Sequence, residues 1–302
     1  MDLYLPIANL SVNAIVIVLL GGGVGLLSGM FGVGGGFLTT PLLIVYGIPP
    51  TVAAASSASQ VTGASVSGVS AHFRRGGVDV KMGGVLVAGG ILGAFFGAWL
   101  FRLLQQSGQI DTVIAIVYVL MLGSIGGMMA QESARAILSG RSGGRARKRR
   151  HHPLVAALPL RTRFYASGLY ISPLAPLLLG FSTGILTMLL GIGGGFILVP
   201  AMIYLLGMST NVVVGTSLFQ TLFVTAVATM VHATTTKAVD IVLAGLLLIG
   251  SVVGAQVGAR LATKVKPEYL RLLLAVMVLL VGARILLGLV WRPQELFSVE
   301  LS

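Results

Sequence analysis

Apolar segments recur from one end of this 302-residue chain to the other, with few charged residues between them. A helix of about 20 apolar residues is long enough to cross the hydrocarbon core of a bilayer. Only 9% of the residues are charged and 56% are hydrophobic, whereas a soluble domain carries about 25% charged residues. The mean hydropathy is +0.98. The sequence therefore predicts an all-α polytopic membrane protein.

The formal net charge of +12 is concentrated in one place, because nine of the twenty basic residues lie between Arg135 and Arg163. A basic loop that joins apolar segments follows the positive-inside rule. We therefore interpret residues 131–168 as a cytoplasmic linker and not as a nucleic-acid-binding segment. Anionic lipids near residues 141–163 are a further partner that this charge indicates. The chain has no cysteine, which excludes disulfides and thiolate sites.

A glycine-rich segment occurs twice. GVGGGFLTTP covers residues 32–41 and GIGGGFILVP covers residues 191–200, 159 residues later, with six of ten positions identical. Matching positions continue downstream, for example Gln60 with Gln220. Such duplication is common among secondary transporters. The predicted organisation is a first transmembrane repeat at 1–130, the linker at 131–168, a second transmembrane repeat at 169–292 and a C-terminal tail at 293–302.

Each repeat is predicted to contain a glycine-broken helix, a short half-helix and three full transmembrane helices. The half-helices, at 36–46 and 195–206, reach only about half way across a bilayer at about 1.5 Å per residue. Basic residues accumulate after His72 in the first repeat but in the hinge 260–271 of the second, and these positions are not equivalent. This asymmetry favours inverted repeats over parallel ones.

The glycine clusters should interrupt a helix near the middle of the membrane, where irregular backbone survives only against protein or a wet cavity. The first amides of the half-helix that follows have no helical acceptor, and the helix dipole favours an anion there. Two such ends, related by a two-fold axis, are predicted to converge on the substrate. Close helix packing is the alternative, and we favour it for the Gly93–Gly97 and Gly254–Gly258 pairs. The predicted backbone site comprises Gly34, Gly35, Gly36, Gly193, Gly194 and Gly195.

Gln60 and Gln220 lie near the centres of two helices, where a glutamine costs free energy unless it faces the bundle or a cavity. Either these side chains link helices, or they donate hydrogen bonds to substrate oxygens. Their duplication beside the glycine breaks favours the second reading. The remaining predicted substrate-binding residues are Phe37, Ser57, Phe196 and Ser217.

His72 and His232 each follow a central glutamine by twelve residues, which places them near a membrane surface. Such histidines are commonly interfacial or capping residues, and the alternative is a proton-sensitive gate. Asp79 and Asp240 begin helices and are predicted N-caps. We predict no cofactor, no metal site and no enzymatic activity, because the sequence contains no nucleophile–base–acid set or ligand cluster.

The two segments SGMFGVGGGFLTTP and LTMLLGIGGGFILVP, each followed by a small-residue helix with a glutamine, resemble the TauE/SafE (TSUP) family of sulfite exporters and anion permeases. The second copy has Met188 where the first has Gly29. The resemblance covers nearly the whole chain except the basic loop and the tail.

This resemblance implies a multi-pass transporter of the bacterial cell inner membrane, which exports or exchanges sulfite or C2 organosulfonates such as sulfoacetate. Transport would proceed by alternating access and could be coupled to protons. An anion channel whose half-helices line a pore is the alternative function. The sulfur anion, the direction of transport, the coupling ion and the oligomeric state stay open at this point.

Overall fold

The structure, a computed structural model, describes residues 2–31, 35–138, 162–261 and 267–290. Helices dominate these ranges, which confirms the prediction of an all-α membrane protein. The helices are α1 (Ala14–Phe31), α2 (Gly36–Tyr46), α3 (Pro50–Arg74), α4 (Val80–Gln106), α5 (Ile110–Leu138), α6 (Leu174–Leu190), α7 (Gly195–Tyr204), α8 (Thr210–Val231), α9 (Ile241–Leu261) and α10 (Pro267–Val290). A π-helical turn, His232–Thr236, continues α8.

Five of the described helices are long and apolar enough to cross a membrane, namely Val80–Gln106, Ile110–Arg135, Val212–Thr236, Ile241–Gly258 and Leu272–Val290. Helix α3 has 25 residues, but its six serines and central glutamine make it more polar. Helices α2 and α7 have only 11 and 10 residues. The predicted half-helices are therefore confirmed, and the second ends two residues earlier than expected.

Two short antiparallel hairpins, which the sequence analysis did not predict, precede the first helix of each repeat. Strand β1 (Asp2–Leu5) pairs with β2 (Leu10–Asn13), and β3 (Thr162–Phe164) pairs with β4 (Leu169–Ile171). Strand β3 and the end of α5 both fall in the range 131–168 that we interpreted as the linker. Residues 139–161 and the tail 293–302 lie outside the described residues.

The first helix of each repeat packs along the fourth helix of the other repeat, α1 on α9 and α6 on α4. Glycines make these contacts possible: a Cβ added to Gly25 would lie 2.3 Å from the Ser251 carbonyl oxygen, and one added to Gly93 would lie 2.0 Å from the Phe181 oxygen. Gly97, Gly254 and Gly258 approach the facing helix in the same way. The prediction that the Gly93–Gly97 and Gly254–Gly258 pairs serve helix packing is confirmed.

The two equivalent helices α3 and α8 cross one another in antiparallel directions. The Thr62 hydroxyl donates a hydrogen bond to the Thr225 hydroxyl over 2.8 Å, and the Ser59 hydroxyl lies 3.5 Å from that of Thr229. The partner numbers on α8 therefore fall as those on α3 rise. The other equivalent pair, α5 and α10, also packs in opposite directions.

Two buried aspartates join the repeats in reciprocal fashion. The Oδ1 atom of Asp79 caps α4 by accepting from the Met82 N–H over 3.0 Å. Its Oδ2 atom accepts from both the N–H and the hydroxyl of Ser167, in the turn between β3 and β4. The Asp79 N–H itself donates to the Thr216 hydroxyl of α8 over 2.9 Å. Asp79 thus holds two elements of the second repeat.

Asp240 makes the mirror set of contacts. It caps α9 by accepting from the N–H groups of Val242 and Leu243, each over 3.1 Å. Its Oδ2 atom lies 3.3 Å from the Ile7 N–H in the turn between β1 and β2, and its own N–H donates to the Ser56 hydroxyl over 3.1 Å. The predicted N-cap role of both aspartates is confirmed, and each also holds the hairpin of the other repeat.

Candidate functional site

The helix break in the second repeat consists of glycines in a left-handed conformation. Helix α6 ends at Gly191 with φ +69°, and Gly193 and Gly194 follow with φ +73° and +74°. This conformation favours glycine because a Cβ atom would be strained there. Gly194 is the N-cap of α7, and Gly35 is the N-cap of α2 in the first repeat. Gly34 lies outside the described residues.

The described residues of the two breaks lie against each other. A Cβ atom added to Gly36 would lie 2.7 Å from the Gly191 carbonyl oxygen and 2.8 Å from that of Ile192. The rings of Phe37 and Phe196, each one residue beyond the first glycine of its half-helix, stack with centroids 4.2 Å apart and planes 3° apart. Both rings are buried. The seam between the breaks is therefore filled by aromatic side chains and carbonyl oxygens.

Gln60 of α3 is buried, and neither atom of its side-chain amide has a hydrogen-bond partner among the described residues. Its Nε2 atom lies 3.6 Å from where a Cβ of Gly35 would be. A buried polar group without a partner costs about 1 to 3 kcal/mol, so folded proteins rarely keep one without a reason. The free amide thus lies beside the N-cap of α2.

Gln220 of α8 repeats this arrangement in the second repeat. Its amide is fully buried and also lacks a partner among the residues that the structure describes. The Oε1 atom lies 3.7 Å from the Cβ position of Gly194, and the Nε2 atom lies 3.0 Å from that of Gly90 on α4. Each glutamine therefore lies beside the N-cap glycine of its own repeat.

The first amides of both half-helices have no helical acceptor because they stand at a helix N-terminus. Within the described ranges, no hydrogen-bond acceptor is found for the N–H groups of Gly36 and Phe37, or for those of Gly195 and Phe196. A helix N-terminus carries about half a positive charge together with such donors. Beside Gly35 the Gln60 amide nitrogen adds two more donors. Beside Gly194 the nearer atom of Gln220 is the amide oxygen, and a rotation of the amide by 180° would bring its nitrogen there.

Sequence reasoning missed two hydroxyl residues beside these N-caps. The Cβ of Ser28 lies 3.7 Å from the Cβ position of Gly35, and the Oγ1 atom of Thr187 lies 3.5 Å from that of Gly194. Each precedes its glycine by seven residues, or about two helical turns. The sequence did contain a signal for these two residues, because they occupy equivalent positions in the two repeats.

The two serines of the predicted site differ in their bonding. The Ser57 hydroxyl is buried and has no partner among the described residues. The Ser217 hydroxyl donates to the Val214 carbonyl oxygen over 2.9 Å. Each serine lies three residues before its glutamine, which places it on the same helix face. Ser57 therefore has a free hydroxyl on that face, whereas Ser217 already uses its proton within α8.

The two candidate gating histidines also lie in unlike surroundings. His232 is fully buried at the end of α8, with Nε2 2.9 Å from the Met188 carbonyl oxygen and Nδ1 3.1 Å from the Thr236 hydroxyl. The Phe101 ring packs edge-on against it at 5.1 Å. His72 is only partly buried, and its Cβ lies 3.0 Å from the Cβ position of Gly215. Although the two histidines occupy equivalent positions in the two repeats, His232 is packed in the interior and His72 lies near the surface.

No cationic side chain of the described residues is buried beside the two N-caps. The buried residues of the described ranges include no lysine or arginine. In the same ranges, no group of three or more His, Cys, Asp or Glu side chains could hold a metal ion. Among the described groups, those that would attract an anion are the two helix N-termini and the glutamine amides.

Comparison with known proteins agrees with this architecture. Residues 17–285 match the family model for the sulfite exporter TauE/SafE. A probable membrane transporter protein, YjnA of Bacillus subtilis (strain 168), is 29% identical over 276 residues, which cover 90% of this chain and 100% of that protein.

Two further relatives carry similar names. A probable membrane transporter protein of Xylella fastidiosa (strain Temecula1) is 29% identical over 254 residues, 83% of this chain and 86% of its own length. YunE of Bacillus subtilis, another probable membrane transporter protein, is 25% identical over 286 residues, 90% of this chain and 97% of its own length. No solved structure matches the chain. Because the family model spans nearly all of its apolar helices, this multi-pass membrane protein belongs to the TauE/SafE sulfite exporter family.

Proposed function

We propose that this protein is a secondary transporter that exports or exchanges small sulfur oxyanions, sulfite or C2 organosulfonates such as sulfoacetate, across the bacterial inner membrane. One observation carries the proposal: Gln60 and Gln220 are buried, their amides have no partner among the described residues, and they lie beside the N-caps of the half-helices α2 and α7. The relatives' names and the family support transport in general, and the sulfur anion is our inference.

The chemistry of the site favours an oxyanion over a cation. Its donors are backbone N–H groups at helix N-termini and the amides of Gln60 and Gln220, and an oxyanion offers several acceptor oxygens to such donors. A cation would meet the positive ends of two helix dipoles. A neutral apolar solute would leave the amides unpaired at a cost of about 1 to 3 kcal/mol each.

Alternating access would use an inverted repeat. The antiparallel directions of α3 and α8, and of α5 and α10, support a relation in which equivalent helices point to opposite membrane faces. In the proposed orientation the 131–168 segment is cytoplasmic, and basic residues at 141–163 contact anionic lipids. Moving one repeat against the other would then open the site to one side at a time.

The stacked rings of Phe37 and Phe196 favour a carrier over an open pore. They close the seam between the two helix breaks, together with the carbonyl oxygens of Gly191 and Ile192. An anion channel predicts large single-channel currents in planar bilayers, whereas a carrier predicts counterflow without such currents.

The proposal is tested by uptake of ³⁵S-sulfite into proteoliposomes. We expect saturable uptake that Gln60→Met and Gln220→Met each lower at least tenfold, because methionine keeps the side-chain shape but has no amide. The matched control is Gln256→Met, at an exposed glutamine of α9, which should transport normally. Equal uptake by all four proteins would overturn the assigned site.

Proton coupling is a separate part of the proposal, with His72 and His232 as candidates. A pH gradient across the proteoliposome should then change the initial rate of sulfite uptake. Replacing the coupling histidine by glutamine should remove this dependence while uptake continues. An uptake rate that does not change with the pH gradient would refute proton coupling but not anion transport.

A further inference from the structure

We propose that each chain holds two anion sites, one in each repeat, and not a single site shared between the two helix breaks. The inference rests on the proposed anion transport. Site 1 is defined as the N-cap Gly35, Gln60 and Ser28. Site 2 is defined as the N-cap Gly194, Gln220 and Thr187.

The three residues that define each site belong to one repeat. In site 1 the Gln60 amide and the Ser28 side chain lie 3.6 Å and 3.7 Å from the Cβ position of Gly35. In site 2 the Gln220 Oε1 atom and the Thr187 Oγ1 atom lie 3.7 Å and 3.5 Å from that of Gly194. Thr187 donates its proton to the Thr183 carbonyl oxygen over 2.8 Å, so the donors of site 2 are the first N–H groups of α7 and the Gln220 amide nitrogen once the amide is rotated by 180°. The same three parts, an N-cap glycine, an amide and a hydroxyl residue, thus occur twice with nearly equal spacing.

Each site contains a buried amide that has no hydrogen-bond partner among the described residues. Gln60 is 1% exposed and Gln220 is 0% exposed, and all four amide atoms lack partners in the described parts of the chain. If one anion bound to only one of these amides, the other would remain buried and unpaired. Two anions satisfy both.

The described residues between the two breaks pack closely and leave no room among them for a shared anion. The side chain of Val61 reaches both breaks, with one methyl carbon 2.6 Å from the Cβ position of Gly36 and the other 2.6 Å from that of Gly193. The stacked Phe37 and Phe196 rings fill the adjoining space at 4.2 Å.

The polar atoms at this seam are of the wrong kind for an anion. The carbonyl oxygens of Gly191 and Ile192 face Gly36 at 2.7 Å and 2.8 Å from its Cβ position. Thr221 uses its hydroxyl proton in a 2.6 Å bond to the Gly193 carbonyl oxygen. Acceptor oxygens repel an anion, so the seam separates the two sites.

The walls of the two sites differ, which predicts unequal affinities. Val24 lies 3.1 Å from the Cβ position of Gly35 in site 1, and Thr183 takes its place at 3.3 Å in site 2. Gly90 of the other repeat also approaches the Gln220 amide. An apolar wall in one site and a hydroxyl-bearing wall in the other should give two dissociation constants.

Equilibrium binding of ³⁵S-sulfite to the purified full chain in detergent tests the inference through the stoichiometry. We expect two sulfite ions per chain for the wild type and for Gln256→Met. Gln60→Met and Gln220→Met should each bind one, and the double variant none. Elution of each variant at the wild-type position in size-exclusion chromatography controls for folding.

The outcomes separate the inference from the proposed function. One sulfite per wild-type chain, with affinity lowered by either substitution, would overturn the two-site inference and keep the anion transporter. Absence of binding to both sulfite and sulfoacetate by the wild type would overturn the proposed function and the inference with it.

Discussion

Replacement of Asp79 by alanine should destabilise the protein more than any other single truncation of a described acidic residue in the first repeat. The carboxylate is 2% exposed and accepts three hydrogen bonds, one from the Met82 N–H at the start of α4 and two from Ser167. Ser167 is itself buried, so no water replaces the lost acceptor. The substitution removes a helix cap and leaves two buried donors unpaired.

The magnitude follows from these three contacts. Loss of an N-cap costs about 0.5 to 2 kcal/mol, and each unpaired buried donor costs about 1 to 3 kcal/mol. We therefore expect Asp79→Ala to lower the free energy of unfolding by about 2.5 to 8 kcal/mol. Asp79→Asn should cost less, because asparagine is an equally good N-cap but has only one oxygen.

Unfolding in mixed micelles, titrated with SDS and followed by circular dichroism, measures this free energy. The matched control is Asp111→Ala, because Asp111 is exposed and its Oδ1 atom accepts one bond, from the Thr51 N–H over 3.2 Å. A surface change of this kind usually costs within about 0.5 kcal/mol. If Asp79→Ala and Asp111→Ala unfold at the same SDS fraction, the reasoning on the buried contacts between the repeats is refuted.

Further predictions concern helix packing and the end of α6. Gly93→Ala adds a Cβ 2.0 Å from the Phe181 oxygen and should destabilise the α4–α6 pair by about 1 to 3 kcal/mol. The control is Gly84→Ala, because Gly84 faces open space on the same helix. That substitution should be neutral or stabilising by up to about 1 kcal/mol. Equal thermal stability of the two variants would contradict the packing assignment. Tyr118→Phe removes the buried hydrogen bond to the Leu190 carbonyl oxygen. It should lower the free energy of unfolding by about 1 kcal/mol, measured from the unfolding transition. A stability equal to that of the wild type would show that this bond does not stabilise the protein.

Much of the fold could be predicted because membrane helices have strong local signals. The half-helix 36–46 agrees with the structure at both ends, since glycines bound it: Gly35 begins it and Gly47, with φ +103°, ends it. The second half-helix has no left-handed glycine directly after Tyr204, and its predicted end was two residues late. The hairpins were missed because strands of three or four residues carry too little periodicity to stand out.

The site was predictable in its parts but not in its arrangement. Duplication and depth indicated that Gln60 and Gln220 face the bundle or a cavity, and both are buried with no partner among the described residues. Which glycine each amide approaches depends on how α3 and α8 cross. The stacking of Phe37 on Phe196 likewise requires both breaks to meet side by side. Such contacts between distant segments leave no local trace in the sequence.

The central claim is that an anion rests against the half-helix N-termini and the glutamine amides. Thermal unfolding of the detergent-purified protein with added sodium sulfite tests it most directly, because a ligand at 100 times its dissociation constant stabilises by about 2.7 kcal/mol. We expect sulfite to raise the melting temperature of the wild type and of Gln256→Met but not of the Gln60→Met/Gln220→Met double variant, and choline chloride to raise none. Equal stabilisation of the double variant by sulfite, or stabilisation of the wild type by choline alone, would contradict the account.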